Sequence, residues 1–358
     1  MAVRRKAGPE EMQRFFNTTA EVGLVPAWMS RGLERKPKVV PYLWRWADAA
    51  PLVRESGELV TPDRDVERRV LRLANPGLDH GTTQTISAAL QLLLPGEHAP
   101  AHRHTPTAIR WILEGEGAYT TVEGDKCYME RGDLILTPTW TWHDHGNEGD
   151  GPMIWLDGLD TPLVHHLEAT FYEPYPEDQQ PVESVGSSER KYATGGLRPA
   201  WEAPKVDYSS LWHYKWDRTY DALWRLAQVD SSPFDDIAME YSDPVTGGPV
   251  LRTMACWIQM LRPGLSTKAH RHSSSAVYQV FQGEGYTVVD GQRIDWTAGD
   301  LFVVPSWTWH EFVNQSSQEA ILFSIQDTPL MKTLALYREE AYQDNSGHQT
   351  VSSRFTGG

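Results

Sequence analysis

The chain has only two cysteines, Cys127 and Cys256, among its 358 residues. Two isolated thiols exclude a disulfide framework and a thiolate-rich metal site, and they fit a reducing compartment. Apolar runs are short as well: the longest, residues 86–94, is interrupted by Ser87 and Gln91 and falls short of the about 18 residues that a membrane-spanning helix needs. Because the charged N-terminus is not followed by an apolar core, we expect no signal peptide and a soluble, cytoplasmic protein.

The chain has fewer basic than acidic residues. The 33 Lys and Arg residues face 48 Asp and Glu residues, which gives a formal net charge of −15. Such a field repels nucleic acid and anionic membranes, and no Lys/Arg-rich block offsets it. We therefore expect neither of these partners, and an anionic ligand would need a few local cations to hold it.

What the chain does contain is an internal repeat. The segment from Gly96 reads GEHAPAHRHTPTAIRWILEGEG, and the segment from Gly264 reads GLSTKAHRHSSSAVYQVFQGEG. Further on, GDLILTPTWTWHDHGN starts at Gly132 and GDLFVVPSWTWHEFVN starts at Gly299. The offset is 168 residues at the first motif and 167 at the second, about half the chain, which indicates one duplicated domain. Short apolar runs bounded by Gly, Asp and Pro predict an antiparallel barrel or jelly roll in each copy.

Helical patterns lie outside the two copies. Residues 9–22 begin with Pro and two Glu, and residues 217–226 and 330–342 place apolar side chains three and four positions apart. Residues 173–208 are rich in Pro, Glu, Ser and Gly and are predicted to be an extended linker. We therefore predict a mainly β fold of two jelly-roll barrels with a few peripheral helices. Its parts are a helical arm (1–60), the first barrel (61–172), a linker with a helix (173–235), the second barrel (236–329) and a C-terminal helix and tail (330–358).

Three histidines of the first copy carry the clearest chemical signal. His102 and His104 are two apart on a predicted strand and share a face, and His143 lies on a later strand. Imidazoles that converge inside a small barrel form a nitrogen-donor site for Fe, Mn, Cu, Ni or Zn. Packing alone would rarely choose imidazole twice at matched spacing, and the second copy repeats the set as His270, His272 and His310. We expect a metal in the first copy, and the second copy could hold another.

Both copies resemble the cupin superfamily, whose motifs are G(x)5HxH(x)3–4E(x)6G and G(x)5PxG(x)2H(x)3N. The first copy matches at Gly96, His102, His104, Gly115, Gly132, Pro138, His143 and Asn147, and the second at Gly264, His270, His272, Gly283, Gly299, Pro305, His310 and Asn314. Two positions depart from the motif. The glutamate ligand is replaced by Ala108 and Ala276, and the glycine of the second motif by Trp140 and Trp307. Three neutral imidazoles suit Fe(II) that binds an anionic substrate together with O2.

The chain as a whole, over about residues 26–342, resembles the gentisate 1,2-dioxygenase group of bicupins. The resemblance is carried by PAWM, ERKPKVVPYLWRW, ERRVLRLANPGL and DGLDTPL. It implies one Fe(II) per catalytic barrel, a homotetramer, and cleavage of the C1–C2 bond of gentisate (2,5-dihydroxybenzoate) by O2 to give maleylpyruvate. Salicylate and 1-hydroxy-2-naphthoate remain alternative substrates. A non-catalytic bicupin that binds a metal or a small acid, and a metal-dependent isomerase or decarboxylase, remain alternative functions.

Three residues are candidates for binding the substrate. Arg110, six residues after His104, is expected to clamp the carboxylate, unless it is a surface residue paired with a glutamate. Arg68 resembles the family position that supplies a second cation, unless it and Arg69 belong to a solvated charge run. Gln91 is a polar residue within an apolar strand, and either a substrate hydroxyl or the backbone could satisfy it. The small residues near it on the same strand, Ser87 and Ala89, should decide which ring is accepted.

Two further residues are candidates for proton transfer. His145 could ligate the metal, or it could act as an acid or base on the 5-hydroxyl of the ring. Asp157 could fix the tautomer of that imidazole, or it could cap a turn. The second copy has Tyr278, Phe312 and Ser324 opposite Arg110, His145 and Asp157. We therefore expect the second barrel to bind metal without turning over this substrate.

Overall fold

The computed structural model describes residues 7–29, 38–62, 66, 68–192, 197, 199–201, 209 and 211–357. It divides into two units, Met1–Lys38 and Val39–Gly358, and both repeat copies lie in the second. In the first unit, helix α1 (Pro9–Glu21) begins with a proline and two glutamates, whose carboxylates complement the positive end of the helix. A 3-10 turn follows at Ala27–Met29. The helix predicted over residues 9–22 is confirmed.

The second unit adds helices α2 (Trp46–Leu59), α3 (Thr161–His166), α4 (Ser187–Lys191), α5 (Trp216–Ala227) and α6 (Thr328–Thr333) and a 3-10 turn at Asn345–Gly347. The strands of the first half are β1 (Tyr42–Trp44), β2 (Val70–Arg72), β3 (Ser87–Leu93), β4 (His98–His104), β5 (Ala108–Glu114), β6 (Glu116–Val122), β7 (Asp125–Glu130), β8 (Leu134–Thr137), β9 (His143–Asn147), β10 (Met153–Leu159), β11 (Tyr172–Pro174) and β12 (Ser184–Val185). Those of the second half are β13 (His213–Tyr214), β14 (Ile237–Glu240), β15 (Ala255–Leu261), β16 (His270–His272), β17 (Ala276–Gln282), β18 (Glu284–Val289), β19 (Gln292–Thr297), β20 (Leu301–Val304), β21 (His310–Val313), β22 (Ala320–Gln326), β23 (Glu339–Ala341) and β24 (Ser353–Arg354). None of the described helices is long and apolar enough to cross a membrane.

Four six-stranded sheets build the two barrels. In the first barrel the strand orders are β13-β8-β5-β10-β3-β2 and β11-β4-β9-β6-β7-β12, and in the second they are β1-β20-β17-β22-β15-β14 and β23-β16-β21-β18-β19-β24. Pairing is antiparallel except where β12 meets β7 and β24 meets β19. The predicted mainly β architecture of two antiparallel barrels with a few helices is confirmed.

Alternation along β5 shows how the core is divided. Ile112 packs inside the first barrel, whereas Ile109, Trp111 and Leu113 belong to a larger core shared with the second barrel. Trp111 stacks on Phe323 with the ring centroids 4.2 Å apart. Because side chains alternate, Arg110 shares the interior face with Ile112. One face of β5 therefore packs against the second barrel, and the other places a positive charge inside the first barrel.

Each barrel receives a strand and a helix from a distant part of the chain. The N-terminal β1 joins the second barrel, and its helix α2 begins where the Trp46 amide donates to Asp300 at 2.8 Å. In the first barrel β13 and α5 take the same place, and the Trp216 amide donates to Asp133 at 2.9 Å. The repeated Gly-Asp pair is thus a helix-docking site, with a carboxylate at the positive end of each helix.

Two predictions about the flanking segments are wrong in part. Residues 173–208 are not simply an extended linker, because β11 and β12 add to the edges of the first barrel. The helix predicted over 330–342 ends at Thr333, where Ala335 takes a left-handed conformation (φ 57°) and the Leu336 amide donates back to Met331. The chain then forms β23, which pairs with β16.

Candidate metal centre and substrate pocket

The three histidines of the first copy meet inside the first barrel. His102 and His104 lie on one face of β4, and His143 begins β9, where it pairs across the ladder with His102. The ring centroids are 4.6 Å apart for His102 and His143 and 4.8 Å apart for His104 and His143. One ring nitrogen from each histidine lies within 4.8 Å of the others. The structure therefore brings together the three predicted ligands.

Backbone carbonyls fix the tautomer of all three rings. A carbonyl oxygen only accepts, so each Nδ1 must carry its proton and each Nε2 keeps a lone pair. These bonds run from His102 to Pro100 (2.9 Å), from His104 to Pro106 (2.7 Å) and from His143 to Thr141 (2.9 Å). The Nε2 atom of His143 is fully buried and has no hydrogen-bond partner among the described residues. Oriented imidazoles with bare Nε2 atoms fit a divalent metal ion.

Electrostatics keep these rings neutral. Burial is the main cause that lowers the pKa of all three histidines, and the charge of Arg68 lowers it further. The pKa of His104 falls to about 4. At neutral pH the lone pairs are thus available, which metal binding requires.

An arginine between the two β4 histidines ties the ligand strands together. The Arg103 guanidinium lies 4.6 Å from the ring centre of Trp140 and 4.4 Å from that of Trp142, and it pairs with Glu173 at 2.6 Å. Trp140 has a φ of 59°, and its amide donates to the carbonyl of His104 at 2.8 Å. We call these four side chains the Arg103 clamp.

The second copy repeats the clamp. Arg271 lies 4.4 Å from Trp307 and 4.3 Å from Trp309, and it pairs with Glu340 at 2.6 Å. Trp307 also has a φ of 59°. A tryptophan thus twice occupies a left-handed position that favours glycine, because its ring is needed against the arginine. This contact accounts for the departure from the cupin motif at that position.

The predicted substrate residues line one cavity of about 760 Å³ in the first barrel. Strands β3, β5 and β10 supply one wall, and in their register Asp157 stands opposite both Arg110 and Ala89. The wall residues Ser87, Ala89, Gln91, Arg110 and Asp157 all face this space, as does Arg68. The residues predicted from the sequence therefore lie on four different segments and meet at one pocket.

Arg110 is a buried cation, only 1% exposed, and not a surface residue. Its Nη1 donates to Thr137 at 2.7 Å, and its Nε lies 3.4 Å from the Asp157 carboxylate. Burial lowers the pKa of Arg110 to about 10, so the group stays charged at neutral pH. The guanidinium of Arg110 is thus positioned by Thr137 and Asp157 and faces the pocket.

Arg68 and Arg69 have different surroundings. Arg68 lines the cavity, and its Nη2 lies 3.3 Å from Nδ1 of His102. Arg69 is turned the other way, is 3% exposed and pairs with Glu97 at 2.5 Å. Arg68 is therefore placed between a candidate ligand and the pocket, whereas Arg69 is a structural ion pair.

The predicted partner of His145 is wrong. Nδ1 of His145 lies 2.8 Å from the Thr120 hydroxyl on the neighbouring strand β6, whereas Asp157 accepts from Trp155 Nε1 at 3.0 Å. The two residues lie on opposite sheets, and sequence offered no signal for the Thr120 pairing. Because the Thr120 hydroxyl can donate to Met129 sulfur, it accepts from His145, whose buried Nε2 has no partner among the described residues. Burial lowers the pKa of His145 well below its usual value.

The second histidine set also converges. One ring nitrogen from each of His270, His272 and His310 lies within 4.8 Å of the others. Tyr278 and Ser324 face each other in the register that Arg110 and Asp157 occupy in the first barrel. At this register position the second barrel therefore has a tyrosine and a serine in place of the arginine and its carboxylate.

Comparison with known proteins identifies the class first. The family model described as Cupin domain matches residues 89–159 and 257–326. A salicylate 1,2-dioxygenase from Pseudoaminobacter salicylatoxidans, solved as adducts with gentisate, has a TM-score of 0.87 at 36% identity and covers 95% of this chain and 96% of its own. The protein is a bicupin with a histidine triad in each barrel.

Relatives of known activity identify the family. A 5-aminosalicylate 1,2-dioxygenase from Comamonas sp is 42% identical and covers 96% of this chain and 94% of its own. A 1-hydroxy-2-naphthoate 1,2-dioxygenase from Nocardioides sp. (strain KP7) is 40% identical (85% and 80%), and a gentisate 1,2-dioxygenase from Streptomyces sp is 39% identical (89% and 92%). The chain belongs to the family of gentisate and salicylate 1,2-dioxygenases, and it is an aromatic ring-cleaving dioxygenase.

Proposed function

We propose that the first barrel binds one Fe(II) through His102, His104 and His143 and cleaves the C1–C2 bond of gentisate. The reaction consumes one O2 per gentisate and places both oxygen atoms in maleylpyruvate. The observation that carries the proposal is that Arg68 lines a cavity of about 760 Å³ together with buried Arg110 and also lies 3.3 Å from His102, one of three converging neutral imidazoles.

The donor set fits a ferrous ion that must share its coordination with other ligands. The three imidazoles carry no charge, and the buried Nε2 of His143, which has no hydrogen-bond partner in the part of the chain that the structure describes, is suited to a metal. When bound, Fe(II) supplies the transfer of electrons from an electron-rich ring to O2. The protein supplies the position, the charge and the proton transfer.

Arg110 and Arg68 orient the substrate. The fork of Arg110 binds the ring carboxylate, and the contacts of its Nη1 with Thr137 and of its Nε with Asp157 fix its direction. Arg68 adds a second positive charge on the side of His102. Against a net charge of −15, this local pair of cations is what holds an anionic ring.

His145 takes the proton of the 5-hydroxyl. Its Nδ1 proton is donated to Thr120, so the neutral ring presents a bare Nε2 as a base. Gln91 lines the cavity with Arg110 and binds a ring hydroxyl. Asp157 acts through Arg110, whose charge it balances, and it has no direct part in the proton transfer.

A second substrate, 5-aminosalicylate, is supported by the relative at 42% identity. Like gentisate, it carries an electron-donating group para to the 2-hydroxyl, so the same three histidines and arginines would serve it. Salicylate and 1-hydroxy-2-naphthoate lack that group and make different demands on Ser87, Ala89 and Gln91.

One assay tests the proposal. Fe(II)-loaded protein is mixed in air with gentisate, 5-aminosalicylate, salicylate or 1-hydroxy-2-naphthoate, and O2 consumption and ring-opened absorbance are followed. We expect gentisate to give the highest kcat/KM. A higher value for another acid would reassign the substrate, and no uptake with any of them would contradict the ring-cleaving assignment of the first barrel.

We also propose that the enzyme is a cytoplasmic homotetramer, as the resemblance to its family implies. Light scattering of the purified protein should give the mass of four chains. A monomer at micromolar concentration would contradict this assembly.

A further inference from the structure

The second triad differs from the first in its hydrogen bonding. Nδ1 of His272 lies 3.0 Å from the carbonyl and 2.8 Å from the hydroxyl of Ser274, and Nδ1 of His310 donates to the carbonyl of Thr308 at 3.1 Å. His270 has no such bond: its Nδ1 is buried without a partner among the described residues, and its Nε2 lies 2.8 Å from Nε2 of His310. Two ring nitrogens thus approach each other closely in a buried site.

A carboxylate lies beside one histidine of this triad. Oδ1 of Asp235 lies 4.0 Å from Nε2 of His270, and the Asp235 side chain is only 18% exposed. In the first barrel the positions around the triad hold the cations Arg68 and Arg110, whereas the corresponding strand position here is Tyr278. The charge beside the metal-binding histidines is therefore inverted between the two barrels.

The chain holds Asp235 in place from several sides. Ser232 donates from its hydroxyl to Oδ2 at 3.2 Å, and Gln259 donates to the backbone carbonyl at 2.8 Å. The next residue, Asp236, pairs with Arg262 at 2.5 Å. Gln259 stands 168 residues after Gln91, so the amide that faces the cavity in the first barrel here fixes the loop that carries the carboxylate.

Aromatic rings flank the second triad, two of them at positions where the first barrel has polar side chains. Phe234 stacks on His270 with the ring centroids 5.0 Å apart, and Phe312 lies 6.0 Å from His310. Tyr278 stacks on Phe302 at 5.0 Å in the interior. With these rings, and with Tyr278 in the place of Arg110, the site suits an ion better than an aromatic acid.

We propose that the second barrel holds a structural divalent metal ion, bound by His270, His272, His310 and the carboxylate of Asp235. Three imidazoles and one carboxylate form a closed donor set of the kind that Zn²⁺ takes in tetrahedral sites, and the carboxylate offsets part of the ionic charge. The ion would join β16 and β21 to the loop before β14, which belongs to the opposite sheet of the barrel. It would thereby cross-link the two sheets, independently of the chemistry in the first barrel.

Metal content tests the proposal on the full-length protein. The chain is stripped with a chelator and reloaded with Zn²⁺, and bound metal is measured by mass spectrometry for wild type, His104→Ala, His272→Ala and the double variant. We expect two ions per chain in the wild type, one in each single variant and none in the double variant. Zn²⁺ should also raise the Tm of His104→Ala and leave that of the double variant unchanged.

Asp235→Asn tests the fourth ligand, because the amide keeps the size of the side chain and its contact with Ser232. In the His104→Ala background, competition with a chromophoric chelator should show Zn²⁺ affinity reduced by at least about tenfold. Asp230→Asn, on the same segment but exposed, is the matched control and should leave the affinity unchanged.

Two results would overturn the proposal. The first is equal metal content in reloaded wild type and reloaded His272→Ala. That result would mean that a proton shared between His270 and His310 takes the place of the ion. Equal affinity in Asp235→Asn and its parent would remove Asp235 from the site. Neither readout depends on O2 consumption, so failure here is distinguishable from failure of the ring-cleaving assignment.

Discussion

At the scale of single residues, the pocket depends on a buried cation whose position is fixed by its neighbours. Arg110 could be predicted as a strand residue with apolar neighbours, but its inward direction could not be read from its spacing to His104, because residues 105–107 separate β4 from β5 and alternation holds only within one strand. Thr120 could not be predicted, because its pairing with His145 depends on the register of β6 against β9. Parity is local and readable in a sequence, whereas register between strands is set by the whole barrel.

Replacing Arg110 tests the carboxylate clamp. Arg110→Gln removes a charge-assisted contact worth about 1.5–3 kcal/mol, so kcat/KM for gentisate should fall by about one to two orders of magnitude. Arg110→Lys keeps the charge and loses the fork, and it should lie between wild type and Arg110→Gln. Steady-state O2 uptake measures the effect, and unchanged kinetics in Arg110→Gln would remove the residue from substrate binding.

Replacing His145 tests the proposed base. A base at the 5-hydroxyl contributes about 10²-fold or more, so His145→Gln should lower kcat for gentisate by that order. With 5-aminosalicylate the loss should be much smaller, because the ring amine has no comparably acidic proton. Thr120→Val, which removes the acceptor of the Nδ1 proton, should give a partial loss with gentisate. Equal losses on both substrates would indicate a structural role for His145.

At the scale of elements, the helices predicted over 9–22 and 217–226 are present, and the C-terminal one is cut short. Apolar spacing continues past Thr333, but a left-handed residue at Ala335 ends the helix and frees the chain to pair as β23. The Arg103 clamp was equally hidden, because its four side chains come from β4, β11 and the loop before β9. Only the glycine-to-tryptophan departure, seen twice, marked its place.

The Arg103 clamp predicts an asymmetric response to one substitution. Trp140→Gly relieves the left-handed strain of about 1 kcal/mol and loses a cation–π contact of similar size, so stability should change little. Iron affinity and kcat at the first barrel should fall, because the segment that carries His143 loses its anchor on β4. Trp307→Gly, the matched change in the second barrel, should leave gentisate turnover intact. Equal loss of activity in both variants would show a general packing effect instead.

At the scale of the whole molecule, duplication and the two-barrel fold could be predicted because the repeat is long and its offset is near half the chain. The exchange of β1 with α2 and of β13 with α5 between the barrels could not, because those pairings join residues far apart in sequence, such as Trp46 and Asp300. Strands β1 and β13 are too short to show the alternation of apolar and polar residues that would identify them in the sequence. The long-range pairings appear only when the strands are assembled.

Stability of the metal-free protein should depend on pH through the buried histidines. The pKa of His104 is about 4 in the folded state and 6.5 as an exposed imidazole, so the unfolded chain binds the additional proton between these values. Acidification from pH 6.5 to 4 should therefore destabilise wild type relative to His104→Gln, by up to about 1.4 kcal/mol per pH unit. Urea unfolding of both metal-free proteins measures the difference. A difference that does not vary with pH would place His104 in solvent.

The central claim is that only the first barrel turns over gentisate. It is tested most directly by measuring O2 consumption with gentisate in Fe(II)-loaded wild type, His104→Ala and His272→Ala, with iron content measured on the same samples. Wild type and His272→Ala should each consume one O2 per gentisate, and His104→Ala should consume none. The claim would be contradicted if His104→Ala still turned over gentisate. It would also be contradicted if His272→Ala lost turnover while the iron of the first barrel was retained.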